Sequence, residues 1–138
     1  MRGKRPVIFM DMDETLLHWR GSMGTPVRPG ARQALKHMMQ VADLYVFSAG
    51  GPAYIEARMK ETRLGGYFEG FISVLTLPSF EWLDERKWVL LDDDLVLTAM
   101  KVAMIETPGA VVRVEAFEGQ PECSPLTAYV EAAIQAIR

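Results

Sequence analysis

Three short segments of this chain, residues 7–10, 44–47 and 88–91, are apolar from end to end. A strand with one face in water alternates apolar and polar residues. A continuous apolar run of this length is instead a strand covered on both faces. Segments with helical spacing lie between these runs. Ala34, Leu35, Met38 and Val41 share one face of a helix expected over 31–41, and Pro52 suits the first turn of a second over 52–62. Further elements are expected as a strand over 71–75, a helix over 96–105 and a strand over 111–114. A terminal helix over 126–137 would start with Ser124 as N-cap and Pro125 in the first turn. Strands that alternate with helices predict an α/β fold, a three-layer Rossmann-like arrangement around a central parallel sheet of about five strands.

At 138 residues the chain is expected to form a single domain over 1–138, large enough for one core without disulfides. Residues 16–29 are rich in glycine and proline (Gly21, Gly24, Pro26, Pro29) and read as a short flap. The nine methionines read as core filler. The net charge of −3 gives no pull toward nucleic acid or anionic membranes. No segment approaches the ~20 apolar residues that a membrane span requires. The basic start, residues 1–6, precedes an apolar run that ends at Met10, too short for a signal-peptide core. A cytoplasmic location is therefore the default expectation. Cys123 is the sole cysteine, which excludes an intrachain disulfide and the usual cysteine-based zinc sites.

The apolar runs end in chemistry. The first stops at Asp11 and Asp13, the second at Ser48, and the third at Asp92, Asp93 and Asp94. In an open parallel sheet these positions fall on one edge, where ligands bind. Gathered carboxylates repel one another unless a cation lies among them. An all-oxygen donor set with room for water suits Mg²⁺, which would also neutralise an incoming phosphate. The pair Asp11 and Asp13 suggests phosphoryl transfer through an aspartyl intermediate: one carboxylate attacks and the other moves protons. The plainer readings are a turn for Asp11 and Asp13, a turn serine for Ser48, and a helix cap for the acidic triplet. One of the three is expected to cap the following helix.

The residues Asp11-Met-Asp-Glu-Thr-Leu-Leu17 resemble the D-x-D-x-T signature of haloacid dehalogenase (HAD) superfamily phosphatases. Val27-Arg-Pro-Gly30, Leu44-Tyr-Val-Phe-Ser-Ala-Gly50 and Val89-Leu-Leu-Asp-Asp93 resemble further segments of one branch. That branch holds the NLI-interacting-factor-like proteins and the RNA polymerase C-terminal-domain small phosphatases. The resemblance implies a HAD-like fold without a cap domain and a Mg²⁺-dependent phosphomonoester hydrolase. Asp11 would be the nucleophile and Asp13 the general acid and base. Asp11, the Asp13 backbone carbonyl and Asp92 would hold Mg²⁺, with Asp93 a nearby second acid. Ser48 and Ala49 would contact phosphoryl oxygens, and Thr15 would brace the loop. An uncapped site favours a large phosphorylated substrate, such as a phosphoprotein, or a lid from another subunit. Nucleotides and metabolites also stay open, and the chain would be a monomer or a small homo-oligomer.

The family also uses a lysine to bridge nucleophile and phosphate. Lys87, just ahead of the third run, lies roughly 16 Å from its acidic end at ~3.3 Å per residue, beyond a lysine's reach. Lys60 is no better placed. A phosphate-binding cation could instead come from the flap, as His18, Arg20 or Arg28. Arg28 is the preferred candidate because guanidinium binds phosphate bidentately. The missing lysine motivates an alternative, a weak or inactive module that binds a phospho-ligand or protein partner. A response-regulator-like phosphoacceptor is disfavoured, because the strand over 71–75 ends without an acid.

Overall fold

The computed structural model describes residues 4–138; the first three residues of the basic start lie outside that range. Five parallel strands form one sheet: β1 (Val7–Met10), β2 (Asp43–Ser48), β3 (Gly70–Ser73), β4 (Trp88–Asp92) and β5 (Ala110–Arg113). Their order is β3-β2-β1-β4-β5. The helices are α1 (Ala31–Met38), α2 (Pro52–Thr62), α3 (Leu95–Ile105) and α4 (Val130–Ala136). The expected α/β class and five-stranded parallel sheet are both present.

The apolar runs are explained by cover on both faces. Ile8 and Met10 of β1 pack with Leu44, Val46, Val89 and Leu91 on the face that α1, α2 and α4 cover. Val7 and Phe9 point the other way and pack with Phe47, Trp88, Leu90 and Ile105 of α3. Phe80 and Leu83, from the segment before β4, close this second face. Because strand side chains alternate, every residue of β1 enters one core or the other.

Several boundaries differ from the sequence expectations. α1 stops at Met38, and residues 39–42 form a turn that leaves Val41 exposed. The terminal helix begins as a tight 3₁₀ turn, Leu126–Tyr129, before α4. Ser124 does not cap it: its hydroxyl meets Arg28 at 3.1 Å and the Tyr129 hydroxyl at 2.8 Å. Met10, Met12, Met38 and Met59 fill the core, whereas Met23, Met39 and Met100 are exposed and fill nothing.

The glycine- and proline-rich flap is a narrow hairpin. The His18 N–H donates to Pro26 and the Arg20 N–H to Gly24, and Arg28 donates to Leu16. Trp19 on one arm meets the Tyr54 ring of α2 edge-on at 5.5 Å. The Thr25 hydroxyl on the other arm bonds Glu61 of α2. The flap is thus docked on α2.

Candidate active site

The order β3-β2-β1-β4-β5 reverses direction between β1 and β4. The chain steps outward from β1 to β3 on one side and from β4 to β5 on the other, which opens a crevice at the carboxyl ends of β1 and β4. Asp11 lies one residue past β1, and its N–H donates to Leu91 at 3.0 Å. Asp92 is the last residue of β4. Strand alternation sends both side chains toward α3, since Phe9 and Leu90, two residues earlier, also face that layer.

Asp11 and Asp92 meet Lys101 there. Its Nζ donates to Asp11 Oδ1 at 2.9 Å and to Asp92 Oδ2 at 2.8 Å. The lysine is wholly buried, Asp92 is 1% exposed and Asp11 4%. The ammonium also lies 5.6 Å from the Phe47 ring centroid. Burial holds the Asp11 carboxyl well above the usual carboxylate range, and the Lys101 charge opposes that shift. Burial likewise raises Asp93.

Thr15 links two of the acids, with its hydroxyl 3.2 Å from Asp11 Oδ2 and 3.3 Å from Asp93 Oδ1. The loop that holds it is tightly wound. Glu14 takes a left-handed backbone at φ 64, and the Met12 carbonyl accepts the N–H groups of Thr15, Leu16 and Leu17. A non-glycine residue in that region carries strain, which loops at functional sites tolerate when their surroundings over-determine them. The Glu14 carbonyl is pinned in turn by the Phe117 N–H at 2.7 Å. Of the acidic triplet, Asp94 is the helix cap: its side chain accepts the Leu97 N–H at 2.9 Å.

A cleft of 110 Å³ lies over these groups, lined by Asp11, Asp13, Ser48, Ala49 and Asp93 among others. The Ser48 hydroxyl accepts the Gly50 N–H at 3.0 Å. Asp13 stands apart from the other acids, with Oδ1 accepting the Tyr54 hydroxyl at 2.7 Å. One carboxylate oxygen from each of Asp11, Asp92 and Asp93 falls within 4.8 Å of the others. When ionised, these three carboxylates outweigh the Lys101 charge by two, which a divalent cation balances. The all-oxygen donor set fits Mg²⁺. The Asp13 side chain is not part of that group.

Arg28 is not a phosphate-binding residue in this structure. It is 1% exposed, and its guanidinium is committed to the Ser124 carbonyl and hydroxyl, the Thr15 carbonyl and Cys123. Tyr129 covers it at 5.4 Å. A guanidinium so enclosed ties the flap to the C-terminal segment. The other flap candidates are also engaged: His18 Nδ1 contacts Glu14 at 2.8 Å, and Arg20 reaches the Glu118 carbonyl at 3.4 Å. Lys87 bonds the Arg138 carbonyl at the opposite edge of the sheet, as its position ahead of β4 requires.

The lysine that reaches the acids was missed because it was sought ahead of β4. Lys101 follows β4, and a signal for it was present. It is the only charged residue in α3. At i, i+4 spacing it also falls on the stripe Leu97-Lys101-Ile105 that faces the sheet.

Three comparisons with known proteins bear on this geometry. A family described as NLI interacting factor-like phosphatase matches residues 6–73, which span β1, the flap, α1, β2, α2 and β3. No curated protein matches. Among solved structures, the chain is similar to the fission yeast RNA polymerase II CTD phosphatase Fcp1, in an arginine-to-alanine variant bound to beryllium fluoride. That likeness has 15% identity and a TM-score of 0.58, and covers 96% of this chain and 50% of the other. A second structure of Fcp1, described as an essential RNA polymerase II CTD phosphatase, gives 16% identity and a TM-score of 0.55, with 96% and 48% covered. The chain thus spans about half the length of the structures it matches. Its fold is that of the haloacid dehalogenase superfamily. Within that class it resembles the NLI interacting factor-like phosphatases, as its motifs led one to expect.

Proposed function

We propose that this chain is a Mg²⁺-dependent phosphomonoester hydrolase that works through an aspartyl phosphate on Asp11. The observation that carries the reading is the buried Lys101 bridging Asp11 and Asp92. Burial alone favours a protonated, unreactive Asp11. An ammonium at 2.9 Å favours the anion that a nucleophile must be. Lys101 thus takes the part of the lysine that the family resemblance calls for, from a helix on the other side of β4. This removes the observation that motivated an inactive binding module.

In the first step an Asp11 oxygen bonds to phosphorus as the bond to the leaving oxygen breaks, and Asp13 gives that oxygen a proton. In the second, Asp13 takes a proton from water, the water oxygen bonds to phosphorus, and the Asp11 carboxylate departs with phosphate released. Asp11, Asp92 and Asp93 would hold the cation, with the Asp13 backbone carbonyl beside them. When bound, the cation would offset the negative charge of the phosphoryl group. Ser48 and Ala49 line the cleft where the phosphoryl oxygens would lie. The Fcp1 structures belong to enzymes named for a phosphorylated protein domain, and an uncapped cleft accommodates such a segment. A phosphoprotein is accordingly the proposed substrate class.

The test is phosphate release from an aryl phosphate and from a phosphoserine peptide, with Mg²⁺ and with chelator. Asp11→Asn should abolish release, and chelation should do the same. Release that survives Asp11→Asn would refute the mechanism, and Mg²⁺-dependent binding of phosphopeptide without turnover would favour a binding module.

A further inference from the structure

Asp13 has one carboxylate oxygen already committed, and the group that holds it is unusually well fixed. The Tyr54 hydroxyl donates to Asp13 Oδ1 at 2.7 Å, across from α2. The Tyr54 ring lies so close to Gly50 that a Cβ there would fall 2.7 Å from its Cδ2, leaving no room for a side chain. Trp19 of the flap meets the ring edge-on at 5.5 Å. Arg58, one turn along α2, places its guanidinium 5.5 Å from the Tyr54 ring centroid and 5.1 Å from that of Trp19. Tyr54 is therefore held by the β2–α2 turn, the flap and its own helix together.

We propose that Tyr54 is a positioning residue for the general acid and base: by occupying Oδ1 it assigns proton transfer to Asp13 Oδ2 and fixes where that oxygen points. The proposal rests on the phosphatase reading above. A carboxylate on a single-bonded stem rotates freely, and proton transfer needs it within hydrogen-bond reach of the leaving oxygen. A donor locked on one oxygen sets the rotation. The flap enters through Trp19, which abuts the Tyr54 ring and so ties flap position to the acid.

The experiment compares two substrates in Tyr54→Phe, which removes one oxygen and keeps the ring and its packing. An aryl phosphate such as p-nitrophenyl phosphate leaves as a stable phenolate and needs little protonation. A phosphoserine peptide leaves as a strongly basic alkoxide and needs the acid. The ratio kcat/KM reports events through transfer to Asp11. It should fall by on the order of tenfold for phosphoserine, a part of the roughly 10²–10⁴-fold that a general acid contributes, and less than about threefold for the aryl ester. The value of kcat, which includes water attack assisted by Asp13, should fall for both. In an Asp13→Asn background, Tyr54→Phe should have no further effect, because groups acting through one another are not additive. Equal losses in kcat/KM on both substrates, or a full further loss in Asp13→Asn, would overturn the assignment and leave the phosphatase reading intact. Absence of any Asp11-dependent release from the parent protein would overturn both.

Discussion

Lys101→Met is the perturbation that most directly tests the site. The side chain is wholly buried, and the side chains of its two acceptors, at 2.9 and 2.8 Å, are 5% and 0% exposed. Methionine keeps an unbranched apolar stem, one atom shorter, and removes the ammonium with its charge and its two donated hydrogen bonds. Two carboxylates are then left in the interior with no counter-charge among the fixed groups. Breaking a buried ion pair by removing one partner costs about 3–5 kcal/mol. At a urea m-value of about 1.5 kcal/mol/M, reasonable for a chain of this size, the midpoint should drop by roughly 2–3 M. Mg²⁺ binding near the same carboxylates should restore part of the loss, so the deficit should be larger in chelator than in Mg²⁺. The double variant K101M/D92N should be more stable than K101M alone, since it deletes one of the stranded charges. Activity should fall by about 10²–10³, the usual result of deleting a preorganised charge at a reacting centre. Urea unfolding followed by fluorescence, with and without Mg²⁺, reads the first effect, and release from an aryl phosphate reads the second. A midpoint shift below 0.5 M (roughly 0.8 kcal/mol at the same slope) with activity within threefold of the parent would refute the reasoning.

Two further predictions concern the C-terminal segment that closes over the flap. The Glu115 carboxylate accepts the Ser124 N–H at 2.8 Å, and this bond holds its titration below the ordinary glutamate range. A carboxylate lowered by folding stabilises above its unfolded pKa, and that contribution is lost as pH falls through the folded value. Glu115→Gln should therefore unfold at lower urea than the parent at pH 7, and the two curves should converge as the pH is taken from about 5 toward 3. A gap that widens on acidification would contradict the assignment. Cys123 is 4% exposed, and burial raises its thiol. A disulfide reagent at pH 8 should label it slowly in the native protein and at once in denaturant; rapid native labelling would place the thiol at the surface.

Much of the fold was legible because its signals are local. β1 and β4 carry continuous apolar runs, and these together with the helices that alternate with them pointed to a parallel sheet buried on both faces. The acids at their ends could be placed on one edge without coordinates, since parallel strands share a direction. Asp94 as cap was legible to within the triplet. The errors arose where the deciding contact is distant in sequence. Arg28 has the chemistry of a phosphate ligand, yet its partners Cys123 and Ser124 come from the far end of the chain, at separations of 95 and 96 residues. Ser124 looked like a cap for the same reason that it serves Arg28, a short hydroxyl at a helix start.

By itself the sequence determined the class of fold and the placing of Asp11, Asp13, Ser48 and Asp92 at one edge of the sheet. Periodicity and strand direction are properties of neighbouring residues, and they survive without three-dimensional information. Only the tertiary structure decided which cation meets Asp11 and Asp92. Lys101 lies 90 residues from Asp11, and nothing in the spacing joins them. They meet because β1 and β4 pair side by side and α3 packs back across both. An ammonium in that position persists only because two buried carboxylates offset the cost of its desolvation. The same holds for Tyr54 and Asp13, 41 residues apart, which the β2–α2 turn and the flap bring within a hydrogen bond of each other.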